Sequence, residues 1–528
     1  MSDDLLALHQ DASKKALEQL PEPKRFWHHL LMCLETPRPS DDCGLIRSKL
    51  EAFAKKEGLD FAKDSAGNVR IRRPAAPGYE KSTKLIIQGH FDVVCSKTHD
   101  KVHDFYKDPV LAIVEDGWLK ADRTTLGADD GAGVAAILAL LEDKDLKVGQ
   151  LEGLFTAEEE TTMAGAENLE PAPFLTGNVM INVDSEEPHS VCVGCAGGFE
   201  KLVRVPVKRV AATSQQIAYR IFLHGLMGGH TGTDINRNRA NALQILGRVL
   251  DHVTRAQIPF HVKSIKGGNA PNAIPRDCTA VVYVTKEFGA AFEESLGEGY
   301  EMVRKEFEDL EKTKPDGPND KKAWQFEVNT VESKVEDLIT DEATTRNILD
   351  VILTAPHGVL RMVPGLQDQV DLSVAFSIAT LDPVDLQRAH KVDEFIAHLF
   401  CRGTSMAQME AADRNFDAYS RLIGAYTSGS ATPFNKFPGW EPNLKSAALA
   451  EVLSAHRQLF GREPHVYSVH AGLECGLIQG RYPDMDCTSI GPLIEAAHSP
   501  DERLKIDTVE PFYNWLRTSV VNIAESTK

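Results

Sequence analysis

The chain has 528 residues, a length at which two or three domains are expected instead of a single core. Its apolar share of 42% and charged share of 26% are those of an ordinary soluble globular protein. The net charge of -19 argues against a nucleic-acid partner, because binding a polyanion needs concentrated Lys and Arg side chains.

The start of the chain and its cysteines indicate a cytoplasmic protein. Met1–Leu6 carries acids where a secretory signal needs bases, and no long apolar stretch follows. The longest apolar helical run, Ala132–Leu141, is about half a membrane span, so no membrane partner is expected. Cys192 and Cys195 form the only C-x-x-C. Without a nearby His or second cysteine pair, we expect them to pack in a reduced interior instead of binding zinc.

The first part of the chain alternates between helix and strand patterns. Helices are predicted within residues 15–60, with Ser40–Asp42 as a capping signal. Apolar runs then predict, in chain order, a strand at Lys84–Gln88, a helix at Gly131–Leu141 and strands at Leu151–Thr156 and Val179–Val183. Strand, helix and strand in this order predict an α/β fold with a mainly parallel, doubly wound sheet.

The pattern changes after residue 198 and resumes after residue 436. Between them the sequence predicts, in chain order, a strand at Ile217–His224, a helix at Asn236–Val253, a strand at Thr279–Thr285, a helix at 288–312 and a strand at Val370–Phe376. Turn-forming residues predict loops at 312–320 and Tyr426–Pro433. Beyond them we expect helices near 445–459 and 509–525 and a strand near 464–469.

Acidic and histidine residues recur at the ends of the predicted strands. They are, in chain order, His90, Asp92, Asp129, Glu158–Glu160, Asp184 and His498. Ligands of open α/β sheets collect at the carboxyl ends of the strands, so these side chains are expected to share one site. Two imidazoles and several carboxylates can hold two zinc-type ions that activate a water molecule for hydrolysis.

His498 lies far along the chain from the other members of this group, which predicts a catalytic domain interrupted by an inserted one. We expect the first part of the catalytic domain at 1–198, an inserted α+β lid at 199–436 and the second part at 437–528. The insert is long for one small sandwich, which favours a lid of two lobes.

Each of these residues also has an ordinary structural interpretation. A single histidine after a strand, such as His90, is more often structural than a ligand. Asp129 can cap the N-terminus of the apolar helix that follows it. Glu158–Glu160 can be a solvated acidic turn, as most runs of charge are. The occurrence of all these residues in one chain, with a candidate base next to a candidate ligand, favours a catalytic centre.

A series of short motifs resembles the aminoacyl-histidine dipeptidases, which belong to the dinuclear-zinc aminoacylase and carnosinase superfamily. The motifs are His-x-Asp at His90, Gly-Ala-Asp-Asp-Gly at Gly127, Glu-Glu at Glu159, Asn-x-Asp-Ser-Glu at Asn182, Gly-Gly-His at Gly228, Asn-Ala-Ile-Pro-Arg at Asn272, Pro-Gly-Trp at Pro438, His-Ala-Gly-Leu-Glu-Cys-Gly at His470 and His-Ser-Pro-Asp-Glu at His498. The resemblance extends from about residue 20 to residue 525.

The resemblance implies a role for each matching position. The implied metal ligands are His90 and Asp184 for one zinc, Glu160 and His498 for the other, and Asp129 as the bridge. The implied catalytic residues are Glu159 as general base, Asp92 as the residue that orients His90, and His230 as the group that polarises the scissile carbonyl. The implied substrate-binding residues are Asn269, Asn272, Arg276 and Glu474.

One position departs from the family pattern. Thr162 stands where the family usually has Gly shortly after its Glu pair. Three consecutive glutamates also leave the base and the ligand open to a shift of one residue within Glu158–Glu160.

These observations predict a cytoplasmic dipeptidase that cleaves Xaa-His, carnosine-like and other unblocked dipeptides. Two Zn²⁺ per chain are expected, with Mn²⁺ or Co²⁺ left open, and two bound ions would activate the water that attacks the peptide. The alternatives are an N-acyl amino acid amidohydrolase on the same scaffold and a catalytically silent peptide-binding protein. A homodimer formed through the lid is an open possibility, with His230 acting in cis or in trans.

Overall fold

The computed structural model describes residues 13–311, 324–383, 393–429 and 436–528. These residues divide into two compact units. The first runs up to Cys195 and continues through Trp440–Ser468 and Leu473–Lys528, and the second comprises Ala196–Gly439 and Val469–Gly472. The predicted loop at 312–320 and the end of the loop predicted at Tyr426–Pro433 lie outside the described residues. The predicted domain limits 1–198, 199–436 and 437–528 stay a prediction, because a compact unit is not by itself a separately folding domain.

The helices that begin and end within the described residues are α1 Lys24–Glu35, α2 Gly44–Glu57, α3 Ala128–Leu141, α4 Ala164–Glu167, α5 Ala242–Arg255, α6 Gly289–Glu311, α7 Glu342–Thr354, α8 Met406–Leu422, α9 Ala447–Phe460, α10 Glu474–Arg481 and α11 Ile506–Ser526. Two 3₁₀ turns lie at Ile235–Arg237 and Lys286–Phe288. None of the helices in this part of the chain is long and apolar enough to cross a bilayer.

The strands of the described residues are β1 Asp60–Lys63, β2 Val69–Arg73, β3 Leu85–His90, β4 Ala112–Glu115, β5 Trp118–Ala121, β6 Leu151–Thr156, β7 Val179–Asn182, β8 Ser190–Cys195, β9 Gly197–Pro206, β10 Arg209–Ala211, β11 Gln216–His224, β12 Gly229–His230, β13 Phe260–Gly267, β14 Ala273–Ile274, β15 Cys278–Thr285, β16 Gln325–Val331, β17 Leu338–Thr340, β18 Gly358–Met362, β19 Val370–Leu381, β20 Glu394–Gly403, β21 Tyr426–Gly429, β22 His465–Val469, β23 Asp486–Ser489, β24 Ile494–Glu495 and β25 Arg503–Lys505.

The first unit is built on an eight-stranded sheet with the order β1-β2-β6-β3-β7-β23-β8-β22. The pairs β6–β3, β3–β7 and β7–β23 are parallel, whereas β1–β2, β2–β6 and β23–β8 are antiparallel. The predicted α/β class with a parallel, doubly wound centre is therefore confirmed, with antiparallel strands added on both sides. A short turn joins β1 to β2, and such a connection requires antiparallel strands. A smaller sheet, β24-β25-β5-β4, belongs to the same unit.

Helix α3 is buried because its sequence is apolar on every side. All residues from Gly131 to Leu141 are buried, and a helix with no polar face packs in the interior. Gly153 on β6 permits this packing, because a Cβ at that position would lie 2.6 Å from Cγ2 of Ile137. The N-terminal end of α3 carries Asp129 and Asp130, so the packing of the helix fixes where these acids lie.

The second unit is built on a nine-stranded sheet with the order β16-β11-β15-β13-β19-β20-β9-β21, in which β18 also pairs with β19. The pairs β11–β15, β13–β15, β19–β20 and β20–β9 are antiparallel, and helices α5, α6, α7 and α8 contribute to a single large core with the sheet. One continuous sheet spans the insert in the described residues, and the division of the lid into two lobes stays a prediction. The predicted α+β character is confirmed.

The helix predicted at Asn236–Val253 begins later than its sequence pattern suggests. A 3₁₀ turn at Ile235–Arg237 ends at Asn238, whose φ of 52° is left-handed. The chain then starts α5 at Ala242, because the Asn241 side chain accepts hydrogen bonds from the N–H groups of Leu243 and Gln244. Asparagine favours both conformations, through its tolerance of positive φ and its capping oxygen.

Because α3 is buried on all sides, we expect that shortening one of its side chains lowers the free energy of unfolding considerably. Leu138 is fully buried, whereas Leu45 on α2 is 55% exposed. We expect Leu138→Ala to lower the free energy of unfolding by about 2–5 kcal/mol, because it removes apolar contacts and leaves a cavity. Leu45→Ala should change it by about 0.5 kcal/mol or less. Chemical denaturation followed by circular dichroism measures both, and equal effects would contradict this account of α3.

Candidate metal centre

Three neighbouring parallel strands end at one edge of the first unit's sheet, and each delivers acidic or histidine side chains there. His90 is the last residue of β3, two residues later than the strand was predicted to end. Glu158–Glu160 follow β6, and Asp184 follows β7. Because β6, β3 and β7 are adjacent and parallel, the residues after them meet at the same carboxyl edge.

The first group of close contacts surrounds the imidazole of His90. Its Nε2 lies 3.0 Å from Asp129 Oδ1 and 3.5 Å from Asp184 Oδ1, while Nδ1 lies 3.4 Å from Asp92 Oδ1. Burial favours the neutral imidazole, but the carboxylates of Asp184, Asp129 and Asp92 hold the pKa of His90 well above its ordinary value. The imidazole is therefore placed among oxygens that attract a positive charge.

The second group surrounds His498. Its Nε2 lies 3.0 Å from Asp129 Oδ2 and 2.8 Å from Glu160 Oε2. Hydrogen bonds to these two carboxylates raise the pKa of His498 to about 11. Asp129 thus faces one imidazole with each of its oxygens, which is the arrangement that a bridging carboxylate requires.

The acidic turn after β6 is held by Asp92. One oxygen of the Asp92 carboxylate accepts the N–H of Glu159 at 3.1 Å, and the other accepts the N–H of Glu160 at 3.2 Å. Glu159 Oε2 lies 3.9 Å from His90 Nε2. Burial and the nearby carboxylates of Asp184, Glu474 and Glu160 raise the pKa of Glu159 well above its ordinary value. Asp92 therefore acts on both the imidazole and the turn.

The donor atoms fit a divalent cation. Among the described residues, three groups bring their ligand atoms within 4.8 Å of one another: His90 with Asp129 and Asp184, His90 with Glu159 and Glu160, and Asp129 with Glu160 and His498. Imidazole nitrogens and carboxylate oxygens in such sets bind zinc, and manganese or cobalt accept the same ligands. All five predicted ligands belong to these groups, whereas Glu158 does not.

A buried arginine that the sequence did not reveal joins two of the loops. Arg38, 3% exposed, donates from Nη1 to the carbonyl oxygens of Phe91 at 2.9 Å and Asp92 at 2.8 Å, and from Nη2 to the carbonyl of Gly127. It therefore ties the His90–Asp92 segment to the loop before Asp129. Arg38 lies in an unremarkable Arg-Pro-Ser segment, so no local pattern could have identified it.

Glu474, predicted to face the substrate, is the first residue of α10, and its side chain is buried against the sheet of the first unit. It is 1% exposed, and its Oε2 accepts hydrogen bonds from Gln88 Nε2 at 2.7 Å and Thr156 Oγ1 at 2.5 Å. Burial and the carboxylates of Asp184 and Asp92 raise its pKa to about 8. Its substrate contact remains a prediction, and the observed contacts connect it to β3 and β6.

In the second unit, His230 lies beside part of the predicted substrate-binding segment. Strand β12 pairs with β14, with His230 opposite Ala273, and the N–H of Thr231 donates to the carbonyl of Asn272 at 2.9 Å. Arg276 packs against the Gly228 turn and donates from Nε to the carbonyl of Leu226 at 3.1 Å. Asn269 and the Arg276 side chain are exposed. The structure thus brings His230, Asn272 and Arg276 together within this unit.

Arg402 lies beside His230 in the second unit, and His470 of the same unit lies beside Ser373. Arg402, 4% exposed, lies with Nη2 3.1 Å from His230 Nε2, and Ser373 Oγ lies 2.7 Å from His470 Nε2. Burial, followed by the charge of Arg402, lowers the pKa of His230 to about 4 and that of His470 to about 3. Within the described part of the chain, no carboxylate forms an ion pair with Arg402. The available sequence signal was an Arg directly after Phe395–Cys401, a run that is apolar except for His398.

The neutral state of His470 makes stability depend on pH. Its folded pKa of about 3 lies below the ordinary value of 6.5. The unfolded chain therefore takes up the proton first, and the stability that His470 contributes is complete above 6.5 and is lost as pH falls toward 3. We expect metal-free His470→Gln protein to lose less thermal stability than wild type between about pH 7 and pH 5. His465→Gln, which changes an exposed imidazole, should follow wild type; identical profiles for both variants would contradict the prediction.

The contacts of Arg38 predict that its removal destabilises the first unit. Arg38→Met keeps an apolar chain of similar length but leaves the carbonyls of Phe91, Asp92 and Gly127 without this donor. Each buried group left without a partner costs about 1–3 kcal/mol. Chemical denaturation of metal-free protein should show at least that loss. Arg481→Met, which removes one exposed bond to the carbonyl of Glu167, is the matched control and should have a much smaller effect.

Comparison with known proteins agrees with the site. A family model described as Peptidase family M20/M25/M40 matches residues 86–522. The cytosol non-specific dipeptidase of Escherichia coli (strain K12) is 31% identical over 500 residues, covering 95% of this chain and 97% of that protein. The crystal structure of aminoacylhistidine dipeptidase from Vibrio alginolyticus is similar with a TM-score of 0.84 at 30% identity, covering 97% of this chain and 98% of that one.

A tripeptidase from Staphylococcus aureus shares the fold, with a TM-score of 0.51 at 15% identity over 96% of this chain and 99% of that one. The match over residues 86–522 and the 31% identity along nearly the whole length confirm, at the level of the family, the resemblance that the motifs indicated. The chain therefore belongs to the M20/M25/M40 family of peptidases.

Proposed function

We propose that this peptidase is a dipeptidase that hydrolyses unblocked dipeptides at a centre of two divalent cations, with zinc as the resident metal. The observation that carries the proposal is the carboxylate of Asp129, which faces His90 with Oδ1 and His498 with Oδ2, with Glu159 beside them. Dipeptidases among the similar proteins support the choice of substrate, since both the Escherichia coli and the Vibrio relatives are named for this activity.

The proposed ligands follow the two groups of contacts. His90 and Asp184 would hold one cation, Glu160 and His498 the other, and Asp129 both. When bound, the cations supply Lewis acidity to a water molecule and a peptide carbonyl, and their charge favours the ionised form of the Glu159 carboxylate. Glu160 Oε2 lies 2.8 Å from His498 Nε2, which supports Glu160, and not Glu159, as the metal ligand.

Glu159 is the proposed general base. It takes a proton from the attacking water and passes it to the nitrogen of the departing amino acid, so one carboxylate serves both halves of the reaction. Asp92 orients both the His90 ligand and the segment that carries the base. Its Oδ1 lies 3.4 Å from His90 Nδ1, and its carboxylate accepts the N–H groups of Glu159 and Glu160. A histidine ligand is oriented in this way in most metal sites.

We propose substrate-binding roles for groups within the second unit. Arg402 is buried and forms no ion pair with a carboxylate of the described residues, so we assign it to the free terminal carboxylate of the substrate. A guanidinium binds a carboxylate through two parallel hydrogen bonds. His230 is assigned to the scissile carbonyl, and Asn269, Asn272 and Arg276 are proposed to contact the substrate. The low pKa of His230 supports a neutral imidazole at physiological pH.

An N-acyl amino acid would also offer a terminal carboxylate to Arg402, so the substrate's amine separates the two activities. Zinc-loaded protein should cleave Xaa-His, β-alanyl-His and other dipeptides and lose this activity when a chelator removes the metal. N-acetylated versions of the same dipeptides should be poor substrates. Faster cleavage of the blocked series would establish the amidohydrolase instead, and tight peptide binding without cleavage would establish a binding protein.

The role proposed for Glu159 predicts that its replacement lowers kcat far more than replacement of the neighbouring Glu158. Glu159→Gln removes the base but not a proposed ligand, so kcat should fall by about 10²–10⁴-fold while metal content stays at the wild-type value. Glu158→Gln is the matched control, because Glu158 belongs to none of the candidate ligand groups, and it should retain wild-type kcat. The reverse result would shift the base assignment by one residue.

The cellular setting is proposed from the same sources. We propose a cytoplasmic location, which the name of the Escherichia coli relative, a cytosol dipeptidase, supports. A homodimer through the inserted unit stays a prediction, which sedimentation of the purified protein would test.

A further inference from the structure

A single buried carboxylate outside the proposed ligand set receives four consecutive backbone N–H groups of the Asp129 loop. Glu502 Oε2 accepts from Leu126 at 2.8 Å and Gly127 at 2.9 Å. Its Oε1 accepts from Ala128 at 2.7 Å and Asp129 at 3.3 Å. Glu502 itself is 2% exposed. An ionised carboxylate has four acceptor positions, so this loop uses all of them.

The backbone of the loop is shaped to face a carboxylate. Gly127 has a left-handed φ of 78°, which turns successive N–H groups toward a common side. A Cβ at this position would lie 2.7 Å from Arg38 Nη2, so space as well as conformation favours glycine. The loop leads directly into α3, where the N-terminal end of a helix favours a negative charge.

Glu502 belongs to the segment that carries His498. The N–H of Glu502 donates to the carbonyl of Ser499 at 3.1 Å, which makes His498–Glu502 one compact turn. The same side chain that holds the backbone of Asp129 therefore extends from the turn that presents His498. The two segments come from positions more than 360 residues apart, with Asp129 Oδ2 and His498 Nε2 3.0 Å from each other.

We propose that Glu502 is a positioning residue that fixes the carboxylate of Asp129 relative to the imidazole of His498, so that both can bind the second cation. The inference rests on the proposed metal centre, to which it adds a residue that contacts neither metal nor substrate. Residues that orient metal ligands in this way usually change metal affinity or activity by about 10–100-fold when replaced.

A purely structural role is the competing explanation, and the charges near Glu502 argue against it. Glu502 places a further buried carboxylate beside the acidic Asp129 loop and accepts the N–H of Asp129 itself. A cap that served the fold alone has no need to lie beside a proposed metal ligand. Near bound cations the additional negative charge becomes favourable, because opposite charges attract strongly in a buried site.

The test replaces one acceptor oxygen without changing the shape of the side chain. In Glu502→Gln an amide NH₂ faces two backbone N–H groups that it cannot accept from. We expect Zn²⁺ affinity, measured by competition with a chromogenic chelator, to fall by about 10–100-fold for at least one site. The visible absorption spectrum of the Co²⁺-loaded variant should also differ from that of wild type, because the geometry around His498 and Asp129 changes.

Glu152 provides a matched control in the same unit. It is fully buried, and its Oε2 accepts the N–H groups of Thr176 at 2.9 Å and Gly177 at 3.0 Å, but it holds no proposed ligand loop. Glu152→Gln should lower thermal stability, yet leave Zn²⁺ affinity and the Co²⁺ spectrum at wild-type values. Loss of stability without loss of metal affinity is the signature of a structural cap.

The outcomes separate this inference from the proposed function. If wild-type protein binds no stoichiometric Zn²⁺, the metal centre itself is wrong. If wild type binds two ions and Glu502→Gln binds them equally well with the same Co²⁺ spectrum, the positioning role is overturned. Glu502→Asp, which keeps the charge on a shorter side chain, replaces the glutamine variant if that one is unfolded and should also bind Zn²⁺ more weakly. If neither variant folds, Glu502 serves the fold and the inference fails.

Discussion

Asp129 offers one oxygen to each of two imidazoles, Oδ1 to His90 and Oδ2 to His498, both at 3.0 Å. The rest of the centre is arranged around this shared carboxylate. Several acids with little exposure lie within a few ångströms of it, and without positive charge their mutual repulsion is unfavourable. The same carboxylates raise the pKa values of both imidazoles, and bound cations would offset the repulsion more fully.

Groups that contact no proposed substrate hold this carboxylate in place. Arg38 donates to carbonyl groups of two ligand-bearing segments, Asp92 accepts the N–H groups of a third, and Glu502 accepts those of the Asp129 loop. Each of these three side chains binds backbone N–H or carbonyl groups, which are present whatever the side chains of the loop are. The precision of the centre therefore depends on the main chain of the loops as much as on the ligand side chains.

Much of the fold and the ligand set was predictable because strands and motifs are local in sequence. The apolar runs at β6 and β7 and the residues that follow them gave both the parallel centre of the sheet and the position of the site. Long-range partners were not predictable in this way. Arg38 donates a hydrogen bond to the carbonyl of Gly127, which lies 89 residues away in sequence. No sequence pattern around either residue indicates this contact. The continuous sheet of the insert was not predictable either, because length alone cannot distinguish one wide sheet from two small ones.

The separation of His90 from His498 along the chain also has a consequence for the order in which the centre forms. Residues that face the first imidazole, Asp129 and Asp184, are synthesised before the insert, whereas His498 and Glu502 are synthesised after it. Domains generally fold from the N-terminus as synthesis proceeds. The complete set of ligands can therefore assemble only after the segment that carries His498 has been synthesised, and a nascent chain without that segment lacks one of the proposed ligands.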